Sequence, residues 1–180
     1  MPPANQPLIQ APDHRHFMEL ALTQARQALS AGEFPVGCVL VGGGREVARG
    51  GRKFSFGASL IEIDHAEMVA LRNLQASQWR ADGSALTLYS TMEPCLMCLA
   101  ALMLNGVGTI VYAFEDVMGG ATALAPESLP TLYRERWPRI IPHIRRGESL
   151  ALFQQFFRNP DNGYWRDSPL ARYTLDQPCP

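Results

Sequence analysis

Two short stretches hold residues of the right type and spacing for joint chemistry. They are His65 and Glu67 in "DHAE", and Cys95 and Cys98 in "MEPCLMC". Two cysteines where a strand gives way to a helix sit at the first turn, where free amides and the helix dipole favour thiolates. Alone, this CxxC serves metal binding and redox chemistry equally well. His65 tips the balance to a metal, because one imidazole and two thiolates make three zinc ligands. Structural zinc sites use four protein ligands, whereas catalytic ones leave the fourth position to water. No fourth ligand is evident: Cys38 lies in a strand, Cys179 in the tail, and His14, His16 and His143 have no supporting pattern. Side chains two apart do not share a helix face, but at a helix start they fan round one cavity. Glu67 is then placed to take a proton from zinc-activated water and deliver it elsewhere.

These residues need elements that bring them together. His14 to Ser30 has apolar residues at helical spacing, with Asp13 to cap its start and Gly32 its end. Phe34 to Val41 reads as a buried strand, Gly42 to Gly44 as a hairpin turn, and Glu46 to Gly50 as the returning strand. Residues 51–63 are irregular. His65 to Leu74 reads as a helix, Ala85 to Thr91 as a strand, Cys95 to Leu104 as an apolar helix and Thr109 to Phe114 as a buried strand. Pro126 to Trp137 reads as a helix, Ile140 to Ile144 as a short strand, and Glu148 to Arg158 as a helix. Alternating strands and helices argue for a layered α/β domain with one antiparallel pair and parallel crossovers. Such crossovers bring helix N-termini to one edge of the sheet, where open α/β folds bind ligands.

The pattern H-x-E followed by P-C-x-x-C resembles that of the zinc-dependent cytidine and deoxycytidylate deaminase superfamily. The branch of tRNA adenosine deaminases and bacterial guanine deaminases is the most similar. The likeness runs from about Phe34 to Leu124, through "FPVGCVLV", "HAEMVALRNL", "LYSTMEPCLMCLAALMLNGV" and "IVYAFEDVMGGA". It implies a three-layer α/β/α fold around a mixed five-stranded sheet. It also implies zinc on His65, Cys95 and Cys98, and Glu67 as the proton shuttle. The backbone amide of Cys95 would stabilise the oxygen at the zinc. Pro35, Val36 and Gly37 match a stretch that lines the substrate base, and Asp116 matches an aspartate near the substrate. The chain departs from tRNA adenosine deaminases at Gly51-Arg52-Lys53, where those enzymes usually carry an Asn, and at "IEIDHAE", where they tend to read "DPTAHAE". These departures lie around the substrate. They favour an amino-bearing nucleobase or nucleoside such as guanine, with tRNA adenosine-to-inosine editing as the alternative. Cytidine or deoxycytidylate comes next, then a non-catalytic zinc-binding protein.

The 180 residues suffice for one domain. Sixteen Lys and Arg against seventeen Asp and Glu give a charge of −1 and no general field for nucleic acid. Residues 1–12, with four prolines, read as a flexible arm, 13–158 as the deaminase domain, and 159–180 as an extended tail. Tyr164, Trp165 and Tyr173 suit a tail pinned to its domain, or one that covers the active site. Arg134, Arg136, Arg139, Arg145 and Arg146 read as solvated surface before a phosphate or RNA patch. No apolar run spans a bilayer, and the few cysteines suit a reducing cytoplasm. The helix 95–104 is apolar on most faces and must be covered on most of them; the resemblance, to a family that uses this region for dimers, implies a homodimer.

Overall fold

The computed structural model describes residues 13–55, 62–77, 79 and 85–179. The expected N-terminal arm lies outside them. The helices are α1 (His14–Ser30), α2 (Ala66–Ala76), α3 (Leu96–Leu104), α4 (Thr131–Arg134), α5 (Arg146–Arg158) and α6 (Pro169–Asp176). The strands are β1 (Gly37–Gly42), β2 (Arg45–Gly51), β3 (Leu86–Met92), β4 (Val107–Phe114) and β5 (Arg139–Ile141).

The strands form one mixed sheet in the order β2-β1-β3-β4-β5. β1 is antiparallel to both β2 and β3, whereas β3, β4 and β5 are mutually parallel. A single antiparallel pair was expected; there are two, because β3 returns beside β1 and not beside β2. The start of β1 therefore lies at the same edge as the ends of β2, β3 and β4. Gly37 pairs with Gly51, and Met92 pairs with Phe114.

The pleat sorts each strand between two apolar layers. Val39, Val41, Tyr89, Val111 and Ala113 face α1, with Leu152 of α5 against the same layer. Cys38, Leu40, Leu88 and Ile110 face the other way, with Ala66 and Ala70 of α2 and Leu99 and Leu102 of α3. Each fully buried Leu or Ile contributes about 1.5–3 kcal/mol. Helices on both faces make three layers, as the resemblance implied.

Two glycines let the helices settle on the sheet. A Cβ on Gly37 would lie 2.3 Å from the Ala25 nitrogen, and one on Gly50 would lie 2.2 Å from the Ala66 carbonyl oxygen. Both neighbours are helix backbone and cannot swing aside. Gly50→Ala is therefore expected to destabilise the fold by about 1–3 kcal/mol, the usual range for overpacking. It should also weaken zinc binding, since it pushes on the residue after His65. Thermal unfolding and a zinc titration check both.

Three other elements differ from the sequence reading. Phe34 to Val36 precede the strand: Val36 N donates to Phe34 O at 2.7 Å, a tight turn at Pro35. Between Pro126 and Trp137 there is a 3-10 turn and the short α4, which Pro130 and Pro138 bound on either side. β5 stops at Ile141, because Pro142 has no amide to donate.

The stretch from Asn159 is not wholly extended. Ser168 caps α6 by accepting from the Ala171 amide at 3.0 Å, with Pro169 at the first helical position. Leu170 and Ala171 are buried, and Gln154 of α5 donates to the carbonyls of Thr174 and Gln177. Among the arginines, Arg145 pairs with Glu19 and Glu148, and Arg146 with Glu115.

Glu115 joins the end of β4 to both C-terminal helices. It accepts from Arg146 Nε at 2.8 Å and from the Tyr173 hydroxyl at 2.5 Å. Burial raises its pKa, but the bonds to Arg146 and Tyr173 outweigh that and hold it down to about 2. Because the folded value lies below the ordinary 4.5, Glu115 stabilises the fold above pH 4.5 and loses this as pH falls towards 2. The melting temperature is expected to drop through that window, and to drop less in Glu115→Gln.

Candidate metal centre and substrate cavity

His65 and Cys95 stand at the same structural position on two helices: each is the N-cap residue, His65 of α2 and Cys95 of α3. Both have extended backbone, and neither side chain caps its own helix. Ser, Thr, Asp or Asn at such positions usually adds about 1 kcal/mol. Here the position is given to ligand atoms. Cys98 lies in the first turn of α3 and is fully buried.

His65 Nδ1 is 3.5 Å from Cys95 Sγ and 3.6 Å from Cys98 Sγ. All three ligand atoms lie within 4.8 Å of one another. One imidazole nitrogen and two soft sulfurs, converging from two helix starts, fit a zinc ion with one position left open. The Cys95 thiol is drawn down to about 4, first by the hydrogen bond from the Cys98 thiol and then, against burial, by His65. Cys98 is pushed up by the same bond and by burial.

Glu67 lies in the first turn of α2 and is buried. Ser90 Oγ donates to its Oε1 at 3.3 Å, and Cys98 Sγ is 3.5 Å from its Oε2. Burial raises its pKa, and the charge of His65 offsets part of the rise. A carboxyl so placed beside the metal ligands keeps a proton more readily than an exposed one.

The ligands border a cavity of about 420 Å³ at the sheet edge where β1 begins and β2, β3 and β4 end. This is the size range of small-molecule sites. Phe34, Val36, Met92 and Leu170 give it apolar walls; Arg52, Glu62, Glu93 and Asp116 add polar groups. Val36 and Asp116, both singled out from the sequence, line it. Pro35 and Gly37 are not among its lining residues, since Gly37 turns towards α1. Asp116 Oδ1 accepts from the amides of Met118 and Gly119 at 2.9 and 3.0 Å. Burial raises its pKa, and those amides counter the rise.

Glu93 was not singled out, although it stands beside the Pro-Cys pair. It accepts from Asp116 N at 3.1 Å, and from Thr122 N and Oγ1 at 3.0 and 2.6 Å. It thus fastens the loop after β4 to the loop that carries Cys95. A bridge between Cys95 and Gly120 adds to this, and a Cβ on Gly120 would lie 2.5 Å from both the Asp116 carbonyl oxygen and the Glu93 carboxyl carbon. Tyr164 and Trp165 line the cavity from the segment between α5 and α6 of the same chain.

Residues 11–114, more than half of the chain, match the family model described as the cytidine and deoxycytidylate deaminase zinc-binding region. A tRNA-specific adenosine deaminase of Agrobacterium fabrum is 36% identical over 151 residues, covering 81% of this chain and 95% of that protein. Another, from Bacillus subtilis, is 30% identical, covering 79% and 87%. Among solved structures, a tRNA:A34 deaminase that edits A to I at the wobble position of transfer RNA superposes with a TM-score of 0.64 at 35% identity, over 76% of this chain and 98% of that one. The guanine deaminase of Nitrosomonas europaea gives 0.65 at 23% identity, over 84% and 88%, which speaks for the fold alone. No described helix is long and apolar enough to cross a membrane. With the ligand triad, the buried glutamate and these relatives in agreement, the chain belongs to the zinc-binding cytidine and deoxycytidylate deaminase family, hydrolytic enzymes that act on C–N bonds.

Proposed function

We propose that the chain hydrolyses the exocyclic amine of an aminopurine and releases ammonia. The observation that supports this is the joint placement of the ligand triad and Glu67 on a largely apolar cavity sized for one ring system. A zinc ion held by His65, Cys95 and Cys98 supplies the Lewis acidity that activates water at neutral pH. Glu67 takes the water proton on a carboxylate oxygen and passes it to a ring nitrogen. It then carries the second proton to the departing amine. The balance is one water consumed, one C–N bond broken, one C=O bond formed and one ammonia released. The Cys95 amide, at the start of α3, favours negative charge on the attacking oxygen.

The relatives support adenine in tRNA as the form of the substrate, since they are the more similar by sequence and are named for that activity. A second reading, a free aminopurine base or nucleoside such as guanine, rests on Tyr164 and Trp165. They line the cavity and narrow the room for a nucleotide that is part of a chain. Leu96 and Leu104 of α3 are 59% and 45% exposed, which supports a homodimer through this helix; sedimentation at twice the chain mass checks it.

The test is ammonia release by the zinc-loaded protein from guanine, adenine, adenosine, cytidine, deoxycytidylate and a tRNA anticodon stem-loop. Turnover of one aminopurine supports the reading. Turnover confined to the pyrimidines, or none with zinc bound, overturns it.

A further inference from the structure

Arg52 is the permanently positive side chain of the cavity wall among the described residues. It follows β2, and its backbone amide donates to Val36 O at 2.9 Å, which sets it beside the apolar wall. Glu33 fixes the next turn of chain by accepting from the amides of Phe54 and Ser55. The Arg52 residue is only 3% exposed. A guanidinium carries five N–H donors. Nη2 donates to Glu62 Oε2 at 2.9 Å and to the Tyr164 hydroxyl at 3.3 Å, while Nε and Nη1 are buried with no partner. Folded proteins rarely leave charged donors buried and unpaired, because the lost hydration is not replaced. Such a group is in keeping with a ligand that brings the acceptor.

The surroundings narrow what that acceptor is. Glu67, Glu93 and Asp116 border the same cavity, so a second full negative charge is disfavoured there. A neutral oxo group is not. Glu62 Oε2 lies between Arg52 Nη2 and His65 Nε2, 2.9 and 3.7 Å from them. Guanidinium and metal-binding imidazole therefore adjoin on one short stretch of wall. A ring whose amino-bearing carbon faces the metal turns another edge to Arg52. Pairing of an arginine with the oxo edge of a purine is a strong and specific contact.

We propose that Arg52 is a specificity-determining residue of this deaminase. It donates to an oxo group on the substrate ring, so that an amino-oxo heterocycle is preferred to the same ring bearing the amine alone. This rests on the second reading above, a free aminopurine base or nucleoside such as guanine. The Tyr164 ring lies over the guanidinium, centroid at 5.8 Å.

The test uses the zinc-loaded full chain with guanine and 2-aminopurine, which share the reacting amine and differ by the 6-oxygen. Guanine is expected to have a kcat/KM higher by about 10- to 100-fold. In Arg52→Met the ratio should collapse towards one through loss on guanine alone. Arg52→Lys, which keeps the charge without the planar fork, should retain only part of it. Equal kcat/KM in the wild type overturns the role, as does an unchanged ratio in Arg52→Met at full zinc content. If Arg52→Met does not fold, the wild-type ratio and Arg52→Lys decide. Turnover confined to adenosine or the tRNA stem-loop overturns the role of Arg52 and leaves the aminopurine reading intact. Silence on every aminopurine, with zinc bound, overturns both.

Discussion

Glu67→Gln is expected to lower kcat by about 10²- to 10⁴-fold, the usual worth of a positioned acid–base group, at unchanged zinc content. Glutamine fills the same space and still accepts from Ser90 Oγ, so the buried pocket between Ser90 and Cys98 has no reason to collapse. What it lacks is a site for the travelling proton. In the proposed mechanism three proton movements depend on that site: loss from water, gain at the ring nitrogen and gain by the departing amine. Ammonia release on the substrate that the wild type favours, with zinc measured on the same sample, checks the prediction. A variant with near wild-type turnover would move the shuttle to another group, and Asp116 is the next carboxyl on the cavity.

Loss of a ligand should act differently. Cys98→Ser is expected to weaken zinc binding by more than the about 10- to 100-fold that loss of an outer partner brings, and to abolish turnover for that reason. The serine oxygen is harder, shorter in reach and protonated at neutral pH. His65→Ala should behave alike. The fold should survive both changes, because the two apolar layers that hold the sheet are built from other side chains. Zinc content by mass spectrometry, beside a far-UV spectrum, separates this from Glu67→Gln: the ligand variants lose metal and keep fold, whereas the shuttle variant keeps both. Full zinc content in Cys98→Ser would remove Cys98 from the ligand set.

The metal centre was legible in the sequence because its residue types are scarce there and its spacing is short-range. One HxE and one CxxC, each at a helix start, bring most of their own geometry. The sheet was legible from its runs of Val, Leu and Ile, but the direction of β3 beside β1 was not, since hydrophobic runs carry no direction. Phe34 to Val36 are as apolar as a strand and were read as one; only the turn at Pro35 separates them. In α6 the Ser168-Pro169 start is a helix signal, outweighed in a segment crowded with prolines and polar residues. The stretch Gly51-Arg52-Lys53 was legible as lying around the substrate, but the buried place of Arg52 beside His65 was not. Its partners are Glu62 and Tyr164, and Tyr164 lies 112 positions away, a distance that only the fold closes.

The clamp at Glu93 bears on how this enzyme could be retargeted. The stretch from Asp116 to Thr122 hangs from one carboxylate at both ends, and the Cys95–Gly120 bridge holds its middle. Its length is therefore locked to the metal ligand: one inserted residue would unhook Thr122 or drag Cys95 out of place. Its outward side chains carry no such burden, since Val117 and Met118 are exposed and Met118 reaches the cavity rim. New substrate range should come from exchanging side chains at those two positions within a loop of fixed length, and libraries that vary the length should return apoprotein.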